Sequence, residues 1–255
     1  MPKTRTWEFL HPGGPYGFAH RGGDERAPEN TMAAFQHAVD EGFRYLETDV
    51  HLTRDGVLVA FHDVGLERVA GLRGAIADYT WAELERVDLG AGHGIPRLED
   101  LFAAFPTARF NIEPKSDAAV APLAGIVLAR SLVPQVCIGS FKDARIDTAR
   151  RLLGPELCTS PGPVALARLA ARSVTAAGRR RPTDFGAVQI PPRFGKARLT
   201  AAQVDRYHDM GLQVHVWTIN DEAEMQRLFD LGVDAVVSDK VVVLKAVLSG
   251  RGHWP

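Results

Sequence analysis

Short runs rich in β-branched and aromatic residues alternate with longer helical patterns along this chain, from residue 16 to about 250. That alternation is typical of βαβ units, in which a helix connects two parallel strands. Strands are predicted at 16–20, 45–50, 109–113, 135–139, 155–159, 186–190, 213–218 and 234–238. Eight such strands predict a (β/α)8 barrel, the TIM barrel, and 255 residues suffice for one domain over residues 1–255.

Cap residues indicate where two of the helices begin. Asn30 or Thr31 precedes a stretch with apolar residues at helical spacing, and Gly42 is placed to end it. Asn220 or Asp221 precedes a second stretch of the same kind. Both are predicted to be barrel helices.

One segment interrupts the alternation. TDVHLTRDGVLVAFHD joins two β-like runs through RDG, which is too short for a crossover helix and typical of a hairpin turn. Positions equidistant from the turn face each other in such a pair, so His62 is predicted roughly opposite Asp49. The Gly-rich residues 63–96 follow, with one helix at TWAELERV, and are predicted to form a small insertion or lid after the hairpin.

The nearly balanced charge of the chain excludes a general electrostatic attraction between the protein and polyanions. Thirty basic residues stand against 31 acidic ones, with a pI near 6.8, so neither nucleic acid nor an anionic bilayer is an expected partner and phosphate recognition must be local. Cys137 and Cys158 lie in apolar runs, which favours buried free thiols over a disulfide framework. We find no transmembrane segment and no signal peptide, so a cytoplasmic location is expected.

Ionic residues cluster at the ends of three predicted strands. In barrels of this kind the carboxyl ends of the strands form the active site. Side chains alternate along a strand, so Glu47 and Asp49 share one face, as do Glu113 and Lys115. The ionic residues at these ends are His20, Arg21, Glu47, Asp49, Glu113 and Lys115.

The three carboxylates allow two interpretations. Glu47, Asp49 and Glu113 could supply oxygen ligands to one hard divalent cation, Mg²⁺ or Ca²⁺, with Mn²⁺ a further candidate. The alternative is an ordinary ion-pair network with Arg21 and Lys115.

The two histidines also allow two interpretations. His20 and His62 could each be a half-buried residue with one hydrogen bond. As a pair beside carboxylates, however, they suit phosphodiester cleavage, with one imidazole taking a proton from the nucleophile and the other giving one to the leaving alkoxide. Arg21 and Lys115 would then bind the non-bridging oxygens. Seven other histidines are expected to be surface or packing residues, with His51 the nearest to the site: His11, His37, His51, His93, His208, His215 and His253.

Other catalytic signatures are missing from the sequence. It has no Gly-x-Ser-x-Gly elbow, no P-loop, no dinucleotide glycine fingerprint and no His-Glu-x-x-His. The class of reaction that remains is metal-assisted phosphoryl transfer or related chemistry.

Several longer segments of the sequence resemble those of a known family. AHRGGDERAPENTMAAF and YLETDVHLTRDGVLVAFHD are similar to the signature of the glycerophosphodiester phosphodiesterases. The resemblance continues in the family's order through IPRLEDLF, FNIEPK, IGSF, VHVWTIND and LGVDAVVSD, and so covers nearly the whole chain. Two departures are Pro114, where an aliphatic residue is expected, and LERVAGLRG, which lacks a Thr-rich run.

The resemblance implies a role for each site residue. The implied acid/base pair is His20 and His62, the implied metal ligands are Glu47, Asp49 and Glu113, and the implied phosphate-binding residues are Arg21 and Lys115. Trp217 would contact the glycerol moiety, and its alternative is an interior barrel aromatic.

The resemblance also implies a reaction on a small-molecule glycerophosphodiester. A neighbouring glycerol hydroxyl attacks phosphorus, the alcohol departs, and hydrolysis of the cyclic phosphate gives glycerol 3-phosphate; the alcohol would be one such as choline or ethanolamine. Two alternatives stay open: a lysophospholipase D-like or cyclising phosphodiesterase on the same site, and a non-catalytic barrel that binds a phosphate metabolite.

Overall fold

A parallel barrel is the main feature of the structure, a computed structural model that describes residues 7–10 and 14–254. The strands in chain order are β1 (Tyr16–His20), β2 (Tyr45–Leu52), β3 (Leu58–Ala60), β4 (Arg109–Pro114), β5 (Val136–Ile138), β6 (Cys158–Thr159), β7 (Ala187–Ile190), β8 (Arg193–Phe194), β9 (Ala197–Arg198), β10 (Gln213–Val216) and β11 (Ala235–Ser238). Eight of them form one parallel sheet in the order β6-β5-β4-β2-β1-β11-β10-β7.

The two ends of this sheet come together. The amide of Gly186, next to β7, donates to the carbonyl of Thr159 in β6 at 3.0 Å. The sheet is therefore a nearly closed eight-stranded barrel, and the predicted (β/α)8 fold is confirmed. Each of the eight predicted strand ranges overlaps an observed strand.

Helices follow the strands and cover the outside of the barrel. They are α1 (Met32–Asp40), α2 (Glu67–Ala70), α3 (Trp81–Leu84), α4 (Leu98–Ala104), α5 (Val120–Ala129), α6 (Asp143–Leu153), α7 (Pro163–Ser173), α8 (Ala176–Arg179), α9 (Ala201–His208), α10 (Glu222–Asp230) and α11 (Val241–Gly250). Thr31 caps α1 by accepting from the amide of Ala34, and Asp221 caps α10 by accepting from the amide of Glu224. Among the described helices, none combines the length and the apolarity that crossing a bilayer requires.

The predicted hairpin is present, but its register differs by one residue from the prediction. β2 and β3 pair antiparallel with Leu52 opposite Leu58 and Val50 opposite Ala60. The amide of Phe61 donates to the carbonyl of Asp49 at 3.0 Å, so Phe61 and not His62 lies opposite Asp49. The turn centres on Asp55 because Thr53 and Val57 bond to each other across it.

Residues 63–96 form a compact segment beside this hairpin. They contain α2, a 3-10 turn at Ile76–Asp78 and α3, so the single longer helix predicted at TWAELERV is wrong in extent and number. A separate apolar cluster holds the segment on the hairpin: Val59, Phe61, Leu66, Ile76, Leu84, Leu89 and Ile95. Burial of these side chains supplies the stabilisation that the short helices lack.

The barrel interior is divided into an apolar lower part and a polar upper part. Alternation along β1 places Tyr16 and Phe18 inside the barrel below His20. They pack with Phe9, Tyr45 and the two cysteines, which are unpaired and buried as predicted. His215, with no exposed surface, packs against the rings of Tyr16 and Phe18 and contacts the hydroxyl of Tyr16 at 3.0 Å.

Burial of His215 makes the stability of the fold depend on pH. Burial lowers the pKa of His215 to about 4, whereas an unfolded histidine has a pKa near 6.5. Between these values the unfolded chain binds more protons, so the free energy of unfolding falls as the pH is lowered through this range. His215→Gln should remove up to about 3 kcal/mol of that fall, measured by urea unfolding from pH 7 to pH 4.

The matched control is His253→Gln, which changes an exposed histidine. This variant should keep the wild-type pH dependence. Identical slopes for the wild type and His215→Gln would contradict the assignment of this pH dependence to His215.

Candidate active site

All eight residues that the sequence singled out line one cavity of about 310 Å³ at the carboxyl ends of the barrel strands. They are His20, Arg21, Glu47, Asp49, His62, Glu113, Lys115 and Trp217. The strands that carry most of them, β1, β2 and β4, are neighbours in the barrel. Because these strands are adjacent, residues that are far apart in the sequence lie close together in one pocket.

Strand register sorts these residues into two layers. His20 is the register partner of Glu47, and Glu47 is the register partner of Asn111. These three residues form the lower layer. Asp49 is the register partner of Glu113 one step higher. Pro114 continues β4 opposite Val50, so this departure from the family pattern leaves Glu113 and Lys115 in the same site.

The loop after β1 holds Arg21 in a strained conformation. Its φ is +52°, in the left-handed region that costs a non-glycine residue about 1 kcal/mol or more. The amide of Arg21 donates to the backbone carbonyl of Glu47 at 2.9 Å and to its carboxylate at 3.2 Å, and the amide of Asn30 donates to the carbonyl of Arg21 at 2.7 Å. These bonds fix the backbone of Arg21, whose side chain lines the cavity.

Two cations and three carboxylates meet in the cavity. Lys115 Nζ lies 2.7 Å from Asp49 Oδ1 and 2.9 Å from Glu113 Oε2, and Arg21 Nε lies 3.4 Å from Asp49 Oδ2. Burial works to lower the pKa of Lys115, but the charges of Asp49 and Glu113 outweigh it and raise that pKa. In the described part of the chain, no three His, Cys, Asp or Glu side chains are grouped as a set of metal ligands.

The carboxylates nevertheless fit a divalent cation in two respects. Asp49 is 2% exposed, and its Oδ2 is a buried oxygen with no hydrogen-bond partner among the described residues. Glu47 is also buried, and burial together with the nearby charge of Asp49 raises the pKa of its carboxyl to about 7. A divalent cation would satisfy both the orphaned oxygen and the crowded negative charge.

Each histidine of the cavity is held by a carboxylate that the sequence analysis did not find. His20 Nδ1 lies 2.5 Å from Asp239 Oδ1, and His62 Nδ1 lies 2.6 Å from Asp63 Oδ1. Such a partner favours the proton on Nδ1 and leaves Nε2 available to the cavity. Burial acts to lower the pKa of His20, but the charge of Glu47 and the bond to Asp239 raise it overall.

A chain of ion pairs connects the insertion to the cavity. Arg68 in α2 donates to Asp63 at 2.6 Å and to Glu29 at 2.6 Å, and Glu29 accepts from Arg21 at 3.0 Å. The bonds from Arg68 hold the pKa of Asp63 at about 2, so this carboxylate stays ionised beside His62. Arg68 lies within LERVAGLRG, the segment that departs from the family pattern.

Among the residues that the structure describes, no histidine other than His20 and His62 lines the cavity. His51 Nε2 lies 3.1 Å from the carbonyl of His62, and His208 pairs with Asp234 at 2.7 Å. His215 contacts Gln189, a cavity residue, at 3.5 Å. His11 lies outside the described residues.

The chain is similar to known proteins in both sequence and fold. Residues 20–243 match the model of the glycerophosphoryl diester phosphodiesterase family. A protein of Mycobacterium tuberculosis named "Probable glycerophosphodiester phosphodiesterase 2" is 42% identical over 98% of this chain and 96% of its own length. A lysophospholipase D from Rattus norvegicus is 27% identical over 91% of this chain and 85% of its own.

Among solved structures, the chain is similar to a phosphodiesterase from Oleispira antarctica in complex with its product sn-glycerol-3-phosphate. The two share 26% identity with a TM-score of 0.77, over 92% of this chain and 97% of the other.

The ion pairs of Arg68 predict a local effect on the insertion. Arg68→Gln removes the bonds to Asp63 and Glu29, so we expect amides around α2 to exchange hydrogen several times faster, with little change in global stability because the guanidinium is half exposed. Hydrogen exchange followed by mass spectrometry measures this. Arg73→Gln, which alters another cation of the same segment, should leave the rates unchanged, and equal rates in all three proteins would show that the ion pairs do not hold the segment.

Proposed function

The chain belongs to the glycerophosphoryl diester phosphodiesterase family, and we propose that it hydrolyses glycerophosphodiesters with His20 and His62 as its acid/base pair beside one divalent cation. The observation that carries this proposal is that two imidazoles, each with a carboxylate at Nδ1, border one cavity with two cations and three acids. The enzyme is a phosphoric diester hydrolase, as its relatives' names support.

The two imidazoles would handle the protons of the reaction. One Nε2 takes the proton of the attacking hydroxyl, and the other protonates the leaving alkoxide. Asp239 and Asp63 stabilise the imidazolium that forms on either ring and keep each ring oriented. A binding protein would gain nothing from this pair, which argues against the non-catalytic alternative.

The charge of the cavity supports a divalent cation. Besides the histidines, its lining carries three carboxylates and two cations, so the ionised lining has one net negative charge and would repel a phosphodiester. A divalent cation held by Glu47, Asp49 and Glu113 reverses that sign, and the phosphodiester anion then balances it. When bound, Mg²⁺, Ca²⁺ or Mn²⁺ would stabilise charge that develops on the phosphoryl oxygens.

Arg21 and Lys115 would bind the non-bridging oxygens of the phosphate. Both line the cavity, and both are fixed by carboxylates rather than free to swing into solvent. Such preorganised donors stabilise a transition state without reorganisation. Trp217, on the same cavity, would contact the glycerol moiety, and a neighbouring glycerol hydroxyl would be the nucleophile that forms a cyclic phosphate.

Glycerol 3-phosphate and an alcohol are the proposed products. The structural neighbour from Oleispira antarctica, with sn-glycerol-3-phosphate bound, supports the phosphate product. The buried, unpaired cysteines are consistent with the expected cytoplasmic location, which stays a prediction.

A lysophospholipase D-like activity is the second candidate, because the rat relative carries that name. Product analysis distinguishes the alternatives. Glycerophosphocholine tests diester hydrolysis, lysophosphatidylcholine tests lysophospholipase D activity, and accumulation of a cyclic phosphate would identify a cyclising enzyme.

Removal of either imidazole should lower turnover without unfolding the protein. For His20→Ala and for His62→Ala we expect kcat on glycerophosphocholine to fall by roughly 10² to 10⁴, the range for loss of general acid/base catalysis. His253→Ala is the control and should keep full activity. Wild-type turnover in either cavity variant, with the melting temperature preserved, would rule that histidine out as acid or base.

Glu47→Gln tests the proposed cation site. The amide keeps the shape of the side chain but loses its charge, so we expect the apparent Kd for the activating cation to rise at least tenfold, while thermal stability is kept or improved because a buried carboxylate is neutralised. Calorimetric titration of the protein with Mg²⁺, Ca²⁺ and Mn²⁺, together with turnover after chelation, gives the measurement. An unchanged cation requirement would exclude Glu47 as a ligand.

A further inference from the structure

An apolar rim lies beside the cavity, on the segments that directly follow three consecutive barrel strands, β5, β6 and β7. Each segment exposes one large apolar side chain: Phe141 in the loop after β5 is 62% exposed, Val164 in the first turn of α7 55% and Phe194 in β8 44%. We call these three residues the apolar rim. The same segments supply cavity-lining residues, Pro161, Pro163, Leu166 and Pro191, so the rim is continuous with the cavity wall.

Two of the three rim residues, Phe141 and Val164, are held in place by specific contacts. Phe141 packs edge-to-face on Trp217, with 5.7 Å between ring centroids. The carboxylate of Asp143 accepts from the amides of Val164 and Ala165 at 3.0 and 2.9 Å, which fixes the first turn of α7. Solvent exposure of preordered apolar groups beside an active site costs free energy that a partner surface would recover.

The segment after β7 adds positive charge to the rim. β8 and β9 form a two-stranded hairpin with the sequence RFGKAR, exposed over its whole length. Arg198 pairs with Glu224, but among the residues that the structure describes Arg193 and Lys196 have no ion-pair partner. Two unpaired cations therefore flank Phe194 on the hairpin that follows the cavity-lining Pro191, although the whole chain has a formal net charge of −1.

We propose that the apolar rim and the hairpin cations Arg193 and Lys196 dock the enzyme on the surface of an anionic lipid bilayer, with the cavity mouth facing the membrane. Exposed aromatic and aliphatic side chains next to basic residues suit the boundary between headgroups and acyl chains. The charge complementarity favours an anionic bilayer over a zwitterionic one. Docking would give the active site direct access to phosphodiesters at a lipid surface, and this consequence rests on the proposed function.

Vesicle binding tests the proposal directly. The wild-type chain should cosediment with vesicles of phosphatidylcholine and phosphatidylglycerol at 7:3, and much less with phosphatidylcholine alone. Arg193→Ser with Lys196→Ser should weaken the partition coefficient roughly 30-fold, since each cation near an anionic surface contributes about a fivefold factor. Val164→Ser with Phe194→Ser should weaken it at least tenfold.

Matched controls lie at the opposite end of the barrel. Arg180→Ser with Arg181→Ser removes two exposed cations there, and Val174→Ser removes an apolar side chain that is 65% exposed. These variants should bind vesicles like the wild type. Turnover of water-soluble glycerophosphocholine should be the same in rim and control variants, so loss of vesicle binding is separable from failure of the proposed function.

Three results would overturn the proposal. The first is absence of wild-type binding to anionic vesicles. The second is equal binding by rim variants and controls. The third is a concentration-dependent dimer that Phe194→Ser abolishes in sedimentation equilibrium, because the rim would then be an interface between two copies of the chain.

Discussion

The register between β1, β2 and β4 is the constraint on which the site depends. It sets His20 beside Glu47 and Asp49 beside Glu113. Because side chains alternate along a strand, the same register turns Tyr16, below His20, into the apolar interior. A slip of one residue would turn the carboxylates toward the helices and the apolar residues into the cavity, so one register serves both core and site.

Buried acids at this position are stable only because their charge is shared. Starting from Asp63, which His62 contacts, each group in a continuous series of ion pairs meets a partner of opposite charge: Asp63, Arg68, Glu29, Arg21, Asp49, Lys115 and Glu113. An uncompensated buried carboxylate would cost several kcal/mol. The series also means that the position of the insertion and the electrostatics of the cavity depend on each other.

The sequence was sufficient to predict the barrel and the shared face of the acids at one strand end, for a physical reason. A run with period-two alternation predicts both that the segment is a strand and which side of the strand each residue faces. Glu47 and Asp49 could therefore be assigned to the same side from the sequence alone. The contact of His20 with Asp239 joins residues 219 apart, and nothing local to either residue indicates it. The hairpin turn centres on Asp55, within the predicted RDG turn, and His62 lies one position beyond Phe61, the residue opposite Asp49.

The division of the cavity into an ionic side and an apolar side has a consequence for catalysis. His20, Glu47 and Glu113 come from strands on one side, whereas Pro163 and Leu166 follow β6 on the other. Apolar walls exclude water and lower the local dielectric constant, which strengthens the field of the cations on a bound phosphate. The same walls continue outward into the exposed rim. A single apolar surface could thus serve the electrostatics of the reaction inside the cavity and, as we propose, contact with lipid outside it.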